Sequence, residues 1–356
     1  MKAAVLKSPR TLAMEYDVPK PAADENFLIV EVKACGICGS DVRYYEGENP
    51  WALHTLGKSV PNPPNIIFGH EFAGIVSEVM NPDYKYLIGK RVSILAFNTC
   101  GICEYCRSNQ YHLCKKTMHL GHGAGWGNRD YFPGGMAEYC EVWNTHVVEL
   151  PDDVSFEEAT LLDPISVAIH AITQSELRPG EDVLVIGTGA VGLSIAQAVR
   201  AFGARKVVTT DIYEAPLKIA RENGVDHAVN TSDLDIEKFI KEQIGGVNVV
   251  FDTVGSQTSQ SQAFHVLKES GRLVNLVANE TKASYRLTDL AGEKKIITTA
   301  NNRYEDYLLG LSLIQNGTIN AKAMITNIIT LDEVQKGFDL LLDKSNTQVM
   351  KVVIRP

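Results

Sequence analysis

The chain has 356 residues, more than one ordinary core holds, so two domains are expected. Apolar residues make up 45% and charged residues 22%, as in an ordinary globular enzyme, and a net charge of −9 argues against nucleic acid and anionic lipid as partners. No run approaches the roughly 20 apolar residues of a membrane span, and Met1-Lys2-Ala3-Ala4 opens no signal peptide, so the cytoplasm is the expected compartment.

Taken in chain order, residues 1–150 carry short β-branched runs, Phe27–Val32 and Gly89–Ile94 among them, separated by Gly, Pro and Asn. That pattern predicts an all-β region with large loops. Gly47 to Asn65 holds four prolines and no period, and reads as one long loop. From Asp182 the rhythm changes. A strand at Val183–Ile186 is followed by a helical stretch Ala190–Phe202, a strand Lys206–Thr210, and helices Ala215–Asn223 and Ile236–Ile244. A strand Val247–Phe251, a helix Ser259–Glu269 and a strand Arg272–Leu276 come next. Alternating strands and helices predict a parallel sheet covered on both faces, an α/β doubly wound domain. A helix at Tyr304–Gln315 and a strand at Val349–Ile354 complete the chain.

Gly187-Thr188-Gly189-Ala190-Val191-Gly192 matches G-x-G-x-x-G directly after a strand and at the start of a helix. Gly187 suits the tight turn, Gly189 the approach of a pyrophosphate, and Gly192 close packing of helix on strand. Asp211 ends the second strand, 19 residues beyond Gly192, where a carboxylate accepts ribose hydroxyls and repels a 2′-phosphate. NAD is the expected cofactor, with Gly187, Gly189, Val191, Gly192 and Asp211 binding it.

Seven cysteines are present, and four of them, Cys100, Cys103, Cys106 and Cys114, fall within fifteen residues. Four thiolates at this spacing wrap a closed tetrahedral Zn²⁺, and sulfur-only ligation also suits an iron–sulfur cluster. Elsewhere Cys38, in Cys35-Gly36-Ile37-Cys38-Gly39-Ser40-Asp41, and the pair His70-Glu71 supply a thiolate, an imidazole and a carboxylate. Such a set makes an open zinc site of the catalytic kind. A lone Gly-His-Glu is more often a turn than a ligand pair.

Together these residues resemble the zinc-containing medium-chain alcohol and polyol dehydrogenase family, sorbitol and butanediol types included. The order Cys-Gly-x-x-Gly-Ser-Asp, Gly-His-Glu, four-cysteine lobe and G-x-G-x-x-G carries the likeness, with Gly134-Gly135-Met136-Ala137-Glu138-Tyr139 and Lys351–Ile354 adding to it. The resemblance implies a GroES-like β-barrel catalytic domain over 1–150, completed by about 300–356, and a Rossmann domain over 151–299. It implies two zinc ions per chain, one catalytic and one structural, an active site in the cleft between the domains, and a homotetramer. It also implies that Cys38 and His70 bind the catalytic zinc, that Asp163, 24 residues before Gly187, stands at the family's third ligand position, and that Glu71 is a ligand or a supporting carboxylate. Ser40 matches the hydroxyl that takes the alcohol proton. Most members have a His three residues later. This chain has Arg43, which holds its proton at working pH and is expected to reach the cofactor, or else an anionic group of the substrate.

The reaction implied is reversible oxidation of a secondary alcohol to a ketone, with a polyol, diol or polyol phosphate as substrate. The 32-residue step from Cys38 to His70 resembles butanediol-type members, and Asn302-Arg303-Tyr304 resembles a stretch that sorbitol-type members use near substrate. Tyr44, Tyr45 and Trp51 either line the pocket or pack the loop. Two rivals stand beside this reading. A zinc-free reductase of the same architecture lacks the Cys38, His70 and four-cysteine sets. A relative that only binds dinucleotide has no need of the set Cys38, Ser40, His70, Glu71 and Asp163.

Overall fold

In the computed structural model, which describes residues 1–343 and 348–356, the apolar run that begins at Phe27 continues as a strand to Gly36. Three strands pair antiparallel with it: Tyr139–Trp143 along its first half, Glu71–Glu78 along most of its length, and Lys351–Arg355 at its last two residues. Arg91–Ile94 and Val147–Glu149 extend the sheet on one side, and Ile325–Thr330 runs parallel to Lys351–Arg355 on the other. A smaller sheet joins Thr11–Glu15, Ala3–Ser8 and Ile66–Ile67. Leu28, Val30, Phe68, Phe72 and Phe338 fill the core of this first unit. Burying each such side chain contributes roughly 1.5–3 kcal/mol.

The second unit holds six parallel strands: His227–Asn230, Lys206–Asp211, Asp182–Ile186, Val247–Asp252, Leu267–Asn275 and Lys295–Thr298, in that spatial order. Numbered along the chain the order is 3-2-1-4-5-6, the doubly wound dinucleotide-binding arrangement. Val183, Leu184 and Val185 have no exposed surface, as central parallel strands covered on both faces require.

The first unit comprises Met1–Asp163 with Ile325–Pro356, and the second Pro164–Met324. The first runs on from 150 to Asp163 because Ser93 Oγ donates to the Ala159 carbonyl and Arg355 bonds Glu157 at 2.6 Å. The second keeps the chain from 300 to Met324 because Asp306 meets His170 Nδ1 at 3.0 Å and Gln197 accepts from the Asn320 N–H.

Three local expectations shift. The helical stretch from Ala190 ends at Ala198. The helix expected at Ser259–Glu269 is Gln257–Val266, capped by Ser256, because Leu267 already pairs with Val247 as a strand. Within the proline-rich loop, Ala52–Leu56 forms one π-helical turn. Among the described residues no helix is long and apolar enough to cross a membrane.

Candidate metal and dinucleotide sites

Strand register assembles the first site. Gly36 lies opposite Glu71 on one neighbouring strand and opposite Val353 on the other. Two residues beyond Gly36 the chain turns into the helix Gly39–Tyr45, with Cys38 as its N-cap. The pairing therefore delivers Cys38, Glu71, the preceding His70 and Lys351 to one end of the sheet. Ligand atoms of Cys38, His70 and Glu71 all lie within 4.8 Å of one another.

Two residues to which no role was assigned from sequence complete the arrangement. Asp41 is fully buried. Its Oδ2 accepts the Cys38 N–H at 2.9 Å, and its Oδ1 lies 3.3 Å from His70 Nδ1. A carboxylate beside one ring nitrogen is the usual support for a metal-bound imidazole. Lys351 is 2% exposed, bonds the Ile37 carbonyl at 3.1 Å and closes on Glu71 Oε2. Burial works to lower the Lys351 pKa, but the Glu71 carboxylate outweighs it and holds the ammonium above its ordinary value. An acid three residues after an N-cap is a readable capping signal for Asp41. Nothing about a lysine heading an apolar strand announces Lys351.

This donor set suits zinc. Burial opposes a charged His70, yet Asp41 and Cys38 outweigh it and push its pKa well up. The surroundings thus favour a cation at that imidazole, and a thiolate–imidazole–carboxylate trio is ligation that zinc accepts. Asp163 stands on the first turn of the helix Leu162–Gln174, near enough for its charge to help raise Glu71, but it is not in the 4.8 Å set. Ser40 is half-buried on the first turn of its helix, next to Asp41. Arg43 gives its Nε–H to Glu48 at 2.7 Å.

The aromatic residues of this region pack inward. Tyr44 is 1% exposed and stacks on His122, Tyr45 packs on Phe338, and the Trp51 indole N–H donates to Thr117 at 2.9 Å. In the other unit, Asn302 is buried and Arg303 caps the helix Tyr304–Gln315 while pairing with Glu305.

Four sulfurs form the second cluster. Cys103 and Cys106 are 3.5 Å apart, Cys100 and Cys114 3.6 Å, and Cys100 and Cys106 3.9 Å. A tetrahedron with zinc–sulfur bonds of about 2.3 Å has edges of about 3.8 Å. N–H groups of Ile102 and Cys103 bring the Cys100 thiol down to about 6, which suits a thiolate ligand. All seven cysteines are free of disulfides.

The dinucleotide fingerprint lies in the second unit. Gly187 has φ +91, and a Cβ there would meet Thr253 Oγ1 at 2.4 Å, so only glycine fits the turn. A Cβ on Gly192 would fall 1.9 Å from the Gly187 carbonyl oxygen. Beside Gly189, the N-cap of Ala190–Ala198, a Cβ would meet nothing, which leaves the helix N-terminus open to an anion. Val191 is half-buried in the first turn of that helix. Asp211 accepts the Thr188 N–H at 2.8 Å and the Tyr213 N–H at 3.0 Å. It therefore buttresses the glycine turn.

Comparison with known proteins shows the family. The alcohol dehydrogenase GroES-like domain family matches residues 24–152, and the zinc-binding dehydrogenase family matches 190–316. Sorbitol dehydrogenase of Bacillus subtilis is 29% identical over 100% of this chain and 97% of its own length. L-threonine 3-dehydrogenase of Deinococcus deserti is 31% identical over 95% of this chain and 94% of its own. The crystal structure of 2R,3R-butanediol dehydrogenase from Bacillus subtilis superposes with a TM-score of 0.85 at 28% identity, covering 100% of this chain and 99% of that one. The GroES-like and Rossmann assignments thus hold, and the chain belongs to the zinc-containing medium-chain alcohol dehydrogenase family of NAD(P)-linked enzymes.

Proposed function

We propose that this dehydrogenase oxidises a secondary alcohol of a polyol or vicinal diol reversibly to the ketone, with NAD⁺ and with two zinc ions per chain. The convergence of Cys38, His70 and Glu71 within 4.8 Å, backed by buried Asp41 and Lys351, carries the reading. The names of the sorbitol and butanediol dehydrogenases it resembles support the substrate class.

A zinc ion at that site would lower the pKa of a bound alcohol, and a nicotinamide would accept the hydride. Cys38 and His70 hold the metal, with Asp163 as proposed third ligand and Glu71 as ligand or exchanging carboxylate. Asp41 fixes the His70 ring. The Ser40 hydroxyl receives the alcohol proton and passes it outward. The turn Gly187–Gly192, with Val191, admits the pyrophosphate. Lone pairs of Asp211 not used by Thr188 and Tyr213 receive ribose hydroxyls, and its charge disfavours a 2′-phosphate. Arg43 contacts the cofactor or an anionic substrate group once it leaves Glu48. Cys100, Cys103, Cys106 and Cys114 hold the structural ion.

A panel of polyols, diols and polyol phosphates assayed by NADH formation tests the reading. Turnover of none of them, with zinc bound, would overturn it. A homotetramer working in the cytoplasm is part of the proposal, and light scattering and cell fractionation test those two points.

A further inference from the structure

Outside the ligand set, two of the buried histidines of the first unit that no step above uses lie side by side. His119 and His122 are 9% and 7% exposed, and their rings are 4.6 Å apart. His122 stacks on Tyr44 at 4.9 Å, with planes only 10° apart, and meets the edge of His70 at 6.3 Å. Backbone packing sets this proximity. Gly121, at φ +82, lies so close to the chain at Gly69 and His70 that a Cβ would fall 2.7 Å from the Gly69 carbonyl carbon and 3.0 Å from the His70 nitrogen. The residue after Gly121 is thereby held beside the zinc-ligand histidine.

The two rings differ in one respect. His119 has a partner: Thr117 Oγ1 accepts the Trp51 N–H at 2.9 Å and lies 3.1 Å from His119 Nε2. Thr117 is 1% exposed, so its own proton goes to that nitrogen. Neither ring nitrogen of His122 has a hydrogen-bond partner among the described residues. Its Nδ1 is fully covered, and Nε2 keeps some contact with solvent. The covered Nδ1 is out of a ligand's reach, whereas Nε2, which is not among the covered atoms, is free to pair with one. A hydroxyl donates and accepts, so it satisfies Nε2 in either tautomer.

We propose that His122, held flat against Tyr44 and beside His70, hydrogen-bonds a second hydroxyl of the substrate and so selects polyols and vicinal diols over monohydric alcohols. This rests on the function proposed above. A site built to pair a hydroxyl rejects the analogue that lacks it, because its own polar group is then left unpaired.

The test compares 2,3-butanediol with 2-butanol, in the zinc-loaded enzyme with NAD⁺. His122→Phe keeps the stacking surface and removes the nitrogens. His122→Gln restores a polar end. His122→Phe is expected to lower kcat/KM for the diol about tenfold, chiefly through KM, while 2-butanol changes less than about twofold. Gln should recover most of the loss, with zinc content, melting temperature and NADH affinity unchanged in both variants. Equal losses for the two alcohols, no loss for either, or a Gln variant no better than Phe would overturn the inference while leaving the proposed function intact. A wild-type enzyme with no activity on any diol or polyol would overturn both.

Discussion

Lys351 closes its ammonium on the Glu71 carboxylate inside the first unit, directly beneath Gly36. A Cβ at Gly36 would lie 2.5 Å from Glu71 Oε2 and 3.0 Å from Lys351 Cε. The pair thus fixes three strands at the point where Cys38 and His70 are presented. Removing one member leaves the other charged, dry and alone. Lys351→Met is expected to destabilise the protein by about 3–5 kcal/mol, and the double variant Lys351→Met with Glu71→Gln by clearly less. Urea denaturation of both variants checks the order. Gly36→Ala should also be destabilised, through the clash with the Glu71 carboxylate.

The two metal sites should separate in metal analysis. Freshly purified protein is expected to hold two zinc ions per chain. Cys103→Ser should lose one of them together with thermal stability, because binding energy at a closed site is also folding energy. Cys38→Ser should lose the other, with a smaller change in melting temperature. A wild-type value near one would contradict the two-site assignment.

Turnover and dinucleotide binding should also come apart. Cys38→Ser and His70→Ala are expected to abolish alcohol oxidation while NADH still binds, measured by quenching of protein fluorescence, because the glycine turn belongs to the other unit. Ser40→Ala should lower kcat severely with zinc retained, since it removes a proton path and no ligand. Arg43→Ala should weaken NAD⁺ binding for every substrate. An increase in KM confined to polyol phosphates would assign Arg43 to the substrate instead.

Asp211→Ala should narrow the preference for NAD⁺ over NADP⁺, read as the ratio of kcat/KM values. Its side chain also caps the N–H groups of Thr188 and Tyr213, so the same variant should lose about 1–3 kcal/mol of stability. A preference for NADP⁺ in the wild type would contradict the role given to Asp211.

Acid should loosen the second unit where its central strand begins, at Asp182. Burial acts to raise the pKa of Asp182, but bonds from Arg205 at 2.6 Å and Lys268 at 2.8 Å outweigh it and hold the carboxyl below its ordinary value. Glu181 follows the same pattern, with burial overcome by the two-pronged bond from Arg272 at 2.8 and 2.6 Å. A depressed carboxyl adds stability that is fully present above its unfolded value, about 4, and is lost as pH falls through the lower folded value. Melting temperature should therefore be unaffected by these two groups from pH 7 to about 5 and drop below about 4. Asp182→Asn should flatten that acid limb.

Much of this protein is determined by local sequence. The cysteine spacing from Cys100 to Cys114, the strand–glycine–helix run at Val183–Gly192 and the acid at Asp211 each act within a short stretch, so residue type and spacing alone define their chemistry. The same holds for alternating strands and helices after Asp182, because periodicity is a local property of the backbone. Cys38, His70 and Glu71 are each ordinary alone, suit zinc as a set, and gain their assignment from the resemblance. Tertiary structure alone decides what supports them. Lys351 reaches Glu71 from 280 residues away because two strands share Gly36 as a register partner. His122 reaches His70 because Gly69 and Gly121 let two backbones touch. It also decides that Tyr44, Tyr45 and Trp51 pack inward, that Asp163 lies outside the 4.8 Å set, and that Arg43 is engaged by Glu48. Depth, register and close approach belong to pairs of segments distant along the chain, and no single segment encodes them.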